Sequence, residues 1–168
     1  MPQGSRFAAF LDPNFPSYEG QLRDVREAAR ALDLQVEELR VSTDAEIELA
    51  FETVARQRIA AVAISAGPFF DTRRDKLIML AARYAVPTMY HFREFTTAGG
   101  LISYGIDARV GYRQIGIYAG GILKGEKPAE LPILQPTKFE LVINLKTARA
   151  LGLKVPLILQ VAADEIIE

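Results

Sequence analysis

Short apolar runs alternate with helical stripes along the first two thirds of the chain, and this rhythm restricts the fold more than any other feature. Arg6–Leu11, Leu34–Val41, Ile59–Ala66, Val86–Met89 and Leu101–Ser103 read as strands. Between them, apolar residues fall at helix spacing: Leu22, Val25, Ala28, Ala29 and Leu32, then Ile47, Ala50, Phe51, Val54 and Ala55, then Leu77, Ile78, Leu80, Ala81 and Tyr84. Thr43-Asp-Ala-Glu46 is a capping box that opens the second helix, and Asp71 is placed to cap the third. The strand runs are apolar almost throughout, as strands covered on both faces should be. Strand follows helix at about 25 to 30 residues, the spacing of βαβ units. With right-handed crossovers, this predicts a doubly wound five-stranded parallel α/β sheet over residues 6–107.

After Tyr104 the rhythm breaks. A helix is expected from Ala108 to Lys124, with Ile115, Ala119, Ile122 and Leu123 inward and Gly125 as its stop. The linker Gly-Glu-Lys-Pro-Ala-Glu-Leu-Pro follows it. Then come Ile133–Leu134, a strand Glu140–Asn144, a helix Lys146–Leu151 stopped by Gly152, and an apolar run after Pro156. These pieces are too short to close a second domain, so residues 108–168 are expected to pack on something else.

A chain of 168 residues with 49% hydrophobic and 24% charged residues is long enough to bury one domain's core. A net charge of −1 gives no reason to expect nucleic acid or an anionic membrane as partner. With no cysteine there are no disulfides and no thiolate chemistry. No apolar run approaches the roughly 18 residues of a membrane span. Met1–Arg6 lacks the apolar stretch of a secretory signal, which predicts a cytoplasmic chain as given.

In an open α/β sheet, ligands bind beside the carboxyl ends of the strands, and the loops there hold the candidate residues. Asn14, with Phe15 and Ser17, precedes a helix N-terminus whose free N–H groups suit a carboxylate or polar head; a turn with an N-cap is the competing reading. Phe69 and Phe70 follow a buried strand, and adjacent side chains on a strand cannot face one core together. At least one should reach the edge and stack on a ligand. Arg93 and Glu94, after Tyr90-His91-Phe92, could meet the carboxylate and ammonium of an amino-acid-like solute, or form an exposed ion pair of little weight. Tyr104, Gly105 and Asp107 end the fifth strand. Gly105 would let a ligand approach the backbone, and Asp107 either accepts from an amine or caps the next helix.

Enzyme signatures are missing from the sequence. There is no G-x-G-x-x-G, no phosphate-binding G-x-x-x-x-G-K-[ST] and no G-x-S-x-G elbow. One histidine without cysteine gives no clustered metal set. No catalytic residue, metal or cofactor is therefore expected. A small flavodoxin-like enzyme or signalling domain using the same edge is the runner-up reading, and a truncated fragment without a ligand is a third.

Several strings resemble one family, the substrate-binding proteins of ABC importers of the tryptophan/tyrosine transport type. They are Ala9-Phe-Leu-Asp-Pro-Asn14, Pro68-Phe-Phe70, Phe92-Arg-Glu-Phe-Thr96, Ala98-Gly-Gly100, Ser103-Tyr-Gly105, Ile122-Leu-Lys-Gly-Glu-Lys-Pro128 and Gln135-Pro-Thr-Lys-Phe-Glu-Leu-Val-Ile-Asn-Leu-Lys-Thr-Ala148. The last is the most specific. The resemblance implies a periplasmic-binding type I fold, two α/β lobes clamping a solute, of which residues 6–107 would be the second lobe and 108–168 the segment that recrosses to the first. It implies reversible binding of a small solute such as an amino acid or aromatic compound, an ABC permease as partner and a periplasmic location. Without a first lobe, the apolar faces after residue 108 are expected to join two copies as a homodimer.

Overall fold

A computed structural model describes residues 6–135 and 138–168. Met1–Ser5, and Pro136 and Thr137 of the family string, lie outside the described residues. The chain runs β1 (Arg6–Leu11), α1 (Tyr18–Ala31), β2 (Gln35–Arg40), α2 (Asp44–Arg56), β3 (Ala61–Ile64), α3 (Pro68–Asp71), α4 (Arg74–Arg83), β4 (Thr88–Tyr90), α5 (Arg93–Thr97) and β5 (Ile102–Ile106). It continues through α6 (Ala108–Leu123), a 3-10 turn (Pro128–Glu130), β6 (Phe139–Asn144), α7 (Leu145–Ala150), α8 (Leu157–Ala162) and β7 (Glu165–Ile167). The sheet order is β2-β1-β3-β4-β5-β6-β7. The first five strands are mutually parallel, as the alternation predicts.

Among the described residues the expected five-stranded sheet has seven strands. β6 pairs antiparallel with β5, Gly105 opposite Glu140 and Ile102 opposite Ile143, and β7 pairs parallel with β6. Local pattern marked the run Glu140–Asn144 as a strand, but its partner lies a whole helix earlier in the chain. Residues 139–167 thus complete the lobe's own sheet, and Ile143, expected to want a foreign partner, is buried in it. α6 is what remains outside.

The main core lies on one sheet face. Phe10, Val62 and Ile64 from the strands meet Ile47, Phe51 and Val54 of α2, Leu77 and Leu80 of α4 and Phe95 of α5. Phe10 and Phe51 pack edge to face at 5.1 Å between ring centroids. The capping box holds α2 as expected: Thr43 Oγ1 accepts from the Glu46 N–H, and Glu46 accepts from the Thr43 N–H. The opposite face is thinner. Tyr18 and Leu22 of α1 cover Ala9 and Leu11, while Ala28 and Leu32 of the predicted stripe stay exposed. Past α1, Met89, Tyr104, Ile106 and Phe139 present an exposed apolar strip, with Tyr104 stacked on Phe139.

α6 departs furthest from expectation. Its apolar spacing predicts an inward face, yet it buries no residue. Ile115, Ala119, Ile122 and Leu123 are all exposed, as are Val110, Tyr112 and Ile117. A helix needs a surface to bury its stripe against, and the outgoing chain carries this one away from the sheet. Leu157 and Ile158 of α8 are exposed as well.

Candidate functional site

The carboxyl ends of β1, β3, β4 and β5 place their loops along one edge of the sheet. Because β6 runs antiparallel to β5, its first residues arrive at that same edge, as do those of β7. The loops are joined neighbour to neighbour. The Phe15 ring lies against Gly67, within 3.7 Å of where a side chain there would begin. Gln21 Nε2 donates to the Ala66 carbonyl at 2.7 Å. His91 Nε2 and Asp71 Oδ1 are 2.7 Å apart, linking the loop after β4 to the end of α3. Asp71 is the last residue of α3 rather than the cap expected for α4, whose N-cap position is Arg73. The result is one continuous wall from β1 to β7.

The sequence candidates divide on this wall. Asn14 and Ser17 are exposed in the loop after β1, where the Asn14 N–H donates to buried Asp12 at 2.9 Å. Ser17 holds the N-cap position of α1 without a side-chain capping bond. Phe69 is half-buried under the Arg73 guanidinium, 4.1 Å from its ring centroid. Phe70 is 0% exposed and belongs to the core. The strand alternation expected for the pair does not apply, because both lie in α3; Phe69 packs beside Phe70 on the margin of the core, partly buried rather than facing outward. Glu94 is exposed, and Tyr104 stands on the open sheet face.

Arg93, Gly105 and Asp107 are engaged within the protein. Arg93 Nη2 donates to Glu165 at 2.5 Å, and Arg93 Nη1 lies 3.7 Å from Glu140. The space left by the missing side chain of Gly105 is taken by the His91 carbonyl, which would stand 1.9 Å from a Cβ there. Close backbone approach is what Gly105 permits, but the approaching group is the protein's own loop. Asp107 caps α6 by accepting from the Arg109 N–H at 3.0 Å and is bridged by the Arg109 guanidinium at 2.8 and 3.0 Å. Those hydrogen bonds hold its carboxyl down to about 2, and the Arg109 guanidinium is raised in turn.

Sequence reasoning passed over three groups here. Ser65 Oγ, His91 Nδ1 and Glu140 Oε2 are buried with no hydrogen-bond partner among the described residues. A lone acid inside the apolar run Phe-Glu-Leu-Val-Ile was the available signal for Glu140. Ser65 was readable as the first polar residue after β3, whereas His91's orientation depends on tertiary contact. A depression of about 430 Å³ lined by Asp44, Asp71 and Arg73 borders the wall at the end of α3, and a cavity of about 100 Å³ between α4 and α7 lies off it. The wall itself is an open surface, suited to hold one side of a ligand. Among the described residues no group of His, Asp or Glu side chains is arranged to hold a metal, and no helix is long and apolar enough to cross a membrane.

The fold has close counterparts. A crystal structure of a Streptococcus pneumonia ABC domain in complex with L-Trp superposes with a TM-score of 0.86 at 22% identity, covering 99% of this chain and 58% of that one. A conserved domain protein of Vibrio cholerae O1 biovar El Tor gives 0.83 at 19% identity, covering 99% and 56%. The ligand-free, open form of a Clostridium difficile substrate-binding protein with adhesive properties gives 0.66 at 18%, covering 92% and 52%. The chain thus spans little more than half the length of these relatives. No curated protein sequence matches it. A family model described as ABC transporter substrate binding protein matches residues 1–167, and so the chain belongs to the ABC transporter substrate-binding protein family.

Proposed function

We propose that this chain is the second solute-binding lobe of an ABC importer's binding protein, holding a small solute such as an amino acid or aromatic compound reversibly against the carboxyl edge of its sheet. The observation that carries the reading is the continuous wall, which is open on one side and presents the exposed polar groups Asn14, Ser17 and Glu94 beside half-buried Phe69. Asn14, Ser17 and Glu94 would orient the solute by hydrogen bonds, while Phe69 and Tyr104 would offer aromatic surface. Arg93 would meet a solute carboxylate only by exchanging Glu165 for it, and Asp107 would meet an amine only by releasing Arg109. The L-Trp held by the Streptococcus relative supports an aromatic amino acid as the first solute to try. Membership of the family supports an ABC permease as partner and a periplasmic place of action.

A one-walled site buries little of its ligand, so affinity should be weak until a second wall is supplied. The exposed α6 face and the strip around Tyr104 and Phe139 would make that contact, with a first lobe or with a second copy as a homodimer through residues after 108. Calorimetric titration of the chain with L-tryptophan, L-tyrosine and an aliphatic amino acid tests the reading. Saturable heat that disappears in Phe69→Ala supports it. A folded chain giving no heat with any of them at millimolar solute overturns it. Sedimentation tests the pairing: Ile115→Asp should shift a dimer to monomer, and a monomer at micromolar concentration without the substitution removes the homodimer.

A further inference from the structure

The chain leaves the sheet after Ile106 and returns at Phe139, and these residues are direct partners across β5 and β6. The excursion between them carries α6, which buries nothing against the lobe. Core packing therefore does not set how α6 is aimed, and the two crossing segments must. A charge cluster sits where they cross. Glu140, only 7% exposed, receives Arg109 Nη2 at 3.0 Å from the first turn of α6. Lys138 of the returning segment lies 3.6 Å from it, and Arg93 at the start of α5 lies 3.7 Å from its other oxygen. Arg109 is bound at the same time to Asp107, the cap of α6, and Arg93 to Glu165 of β7. Asp107, Arg109, Glu140, Arg93 and Glu165 thus form an alternating row across the ends of β5, β6 and β7, with Lys138 beside Glu140.

We infer that Glu140 is a positioning residue that locks the two crossing segments together and so fixes the direction in which α6 leaves the solute-binding lobe. A buried carboxylate shared by Arg109, Lys138 and Arg93 costs too much desolvation to sit apart from them. It therefore couples the start of α6, the returning strand and the start of α5 into one arrangement. Were the cluster only a staple for the sheet, Arg109 would be dispensable, because β5 and β6 are already held by their backbone ladder. Its role is to carry that rigidity out of the sheet into the helix. The inference concerns the hinge and holds whether or not the wall binds a solute.

The chain has no cysteine, so a pair of introduced cysteines carries spin labels cleanly. Labels at Arg30→Cys on α1 and Gly120→Cys on α6 report the helix direction, and labels at Arg30→Cys and Glu52→Cys report the lobe alone. Both are measured by pulsed electron resonance with the labelled chain diluted in unlabelled chain. Glu140→Gln should widen or displace the 30–120 distance by about one helical turn, roughly 5 Å, and leave the 30–52 distance unchanged. Arg109→Gln, at an exposed side chain, should do the same, and it decides the matter if Glu140→Gln fails to fold. The double variant should be no wider than either single one, because both remove one link. Unchanged 30–120 distances in Arg109→Gln, or additive effects in the pair, would overturn the lock.

Discussion

α2 and α6 look alike as sequences and differ completely as structures. Both carry apolar residues at helix spacing, and both have an acidic or hydroxyl cap whose side chain accepts from the first turn. α2 buries Ile47, Ala50, Phe51 and Val54, while α6 buries nothing. Tyr112 is 75% exposed and Leu123 88%. Periodicity reports that a helix has a face to bury; it carries no information about which surface receives it. In α2 the receiving surface is the sheet face that carries Phe10, Val62 and Ile64, together with α4. In α6 the lobe offers none.

Substitutions in the two helices should separate them sharply. Phe51→Ala removes a fully buried ring packed on Phe10 and should cost about 3–5 kcal/mol in denaturant unfolding. Ile115→Ala on α6, measured at a concentration low enough to exclude association, should stay within about 0.5 kcal/mol. Comparable losses would mean that α6 is packed on the lobe after all. Gly105→Ala tests the junction between the regions. Its methyl would collide with the His91 carbonyl, and a cost of about 1–3 kcal/mol is expected from the forced shift. A neutral result would show that the loop after β4 is free to move.

Changing each helix's cap residue sharpens the contrast. Thr43→Ala should lower stability by about 1 kcal/mol, because the packed α2 transmits the loss of its capping box to the whole domain. Asp107→Asn should be felt through acid sensitivity instead. Arg109 holds the Asp107 carboxyl down to about 2 in the folded chain, below its unfolded value near 3.9. The unfolded chain then binds more protons between those values, so this contribution is complete above about pH 4 and is lost as pH falls toward 2. Urea titrations from pH 5 to pH 2.5 should show a shallower loss in Asp107→Asn than in the parent. Parallel curves would mean that the Arg109 contact is absent in solution.

Much of the architecture was readable locally. Each of the first five strands fell inside or beside its apolar run, and the box at Thr43–Glu46 formed as written, because these depend on neighbours a few residues away. Gly125 and Gly152 closed α6 and α7 in the positive-φ conformation that glycine tolerates. The failures were mostly at long range. Arg93 reads as a free cation until Glu165, 72 residues later, is brought beside it. Asp71 reads as the cap of α4, but the chain turns earlier into α3 and Arg73 takes that position. Phe69 and Phe70 are equivalent in sequence, and only the three-dimensional path of α3 decides which is buried. The wall was predictable because the ends of parallel strands must share an edge; the pairing of its charges was not.

The antiparallel junction of β5 and β6 has an evolutionary consequence. Adjacent antiparallel strands can be closed by a two-residue hairpin turn, so everything between Ile106 and Phe139 is topologically an insertion at a hairpin tip. Lengthening such a loop is cheap, each doubling costing only about 0.6 kcal/mol of closure entropy. Whole helices, or a visit to another body and back, can be gained or lost there while the sheet register stays as it is. A lineage could therefore remodel its partner through this one opening and keep the strand edges inherited intact.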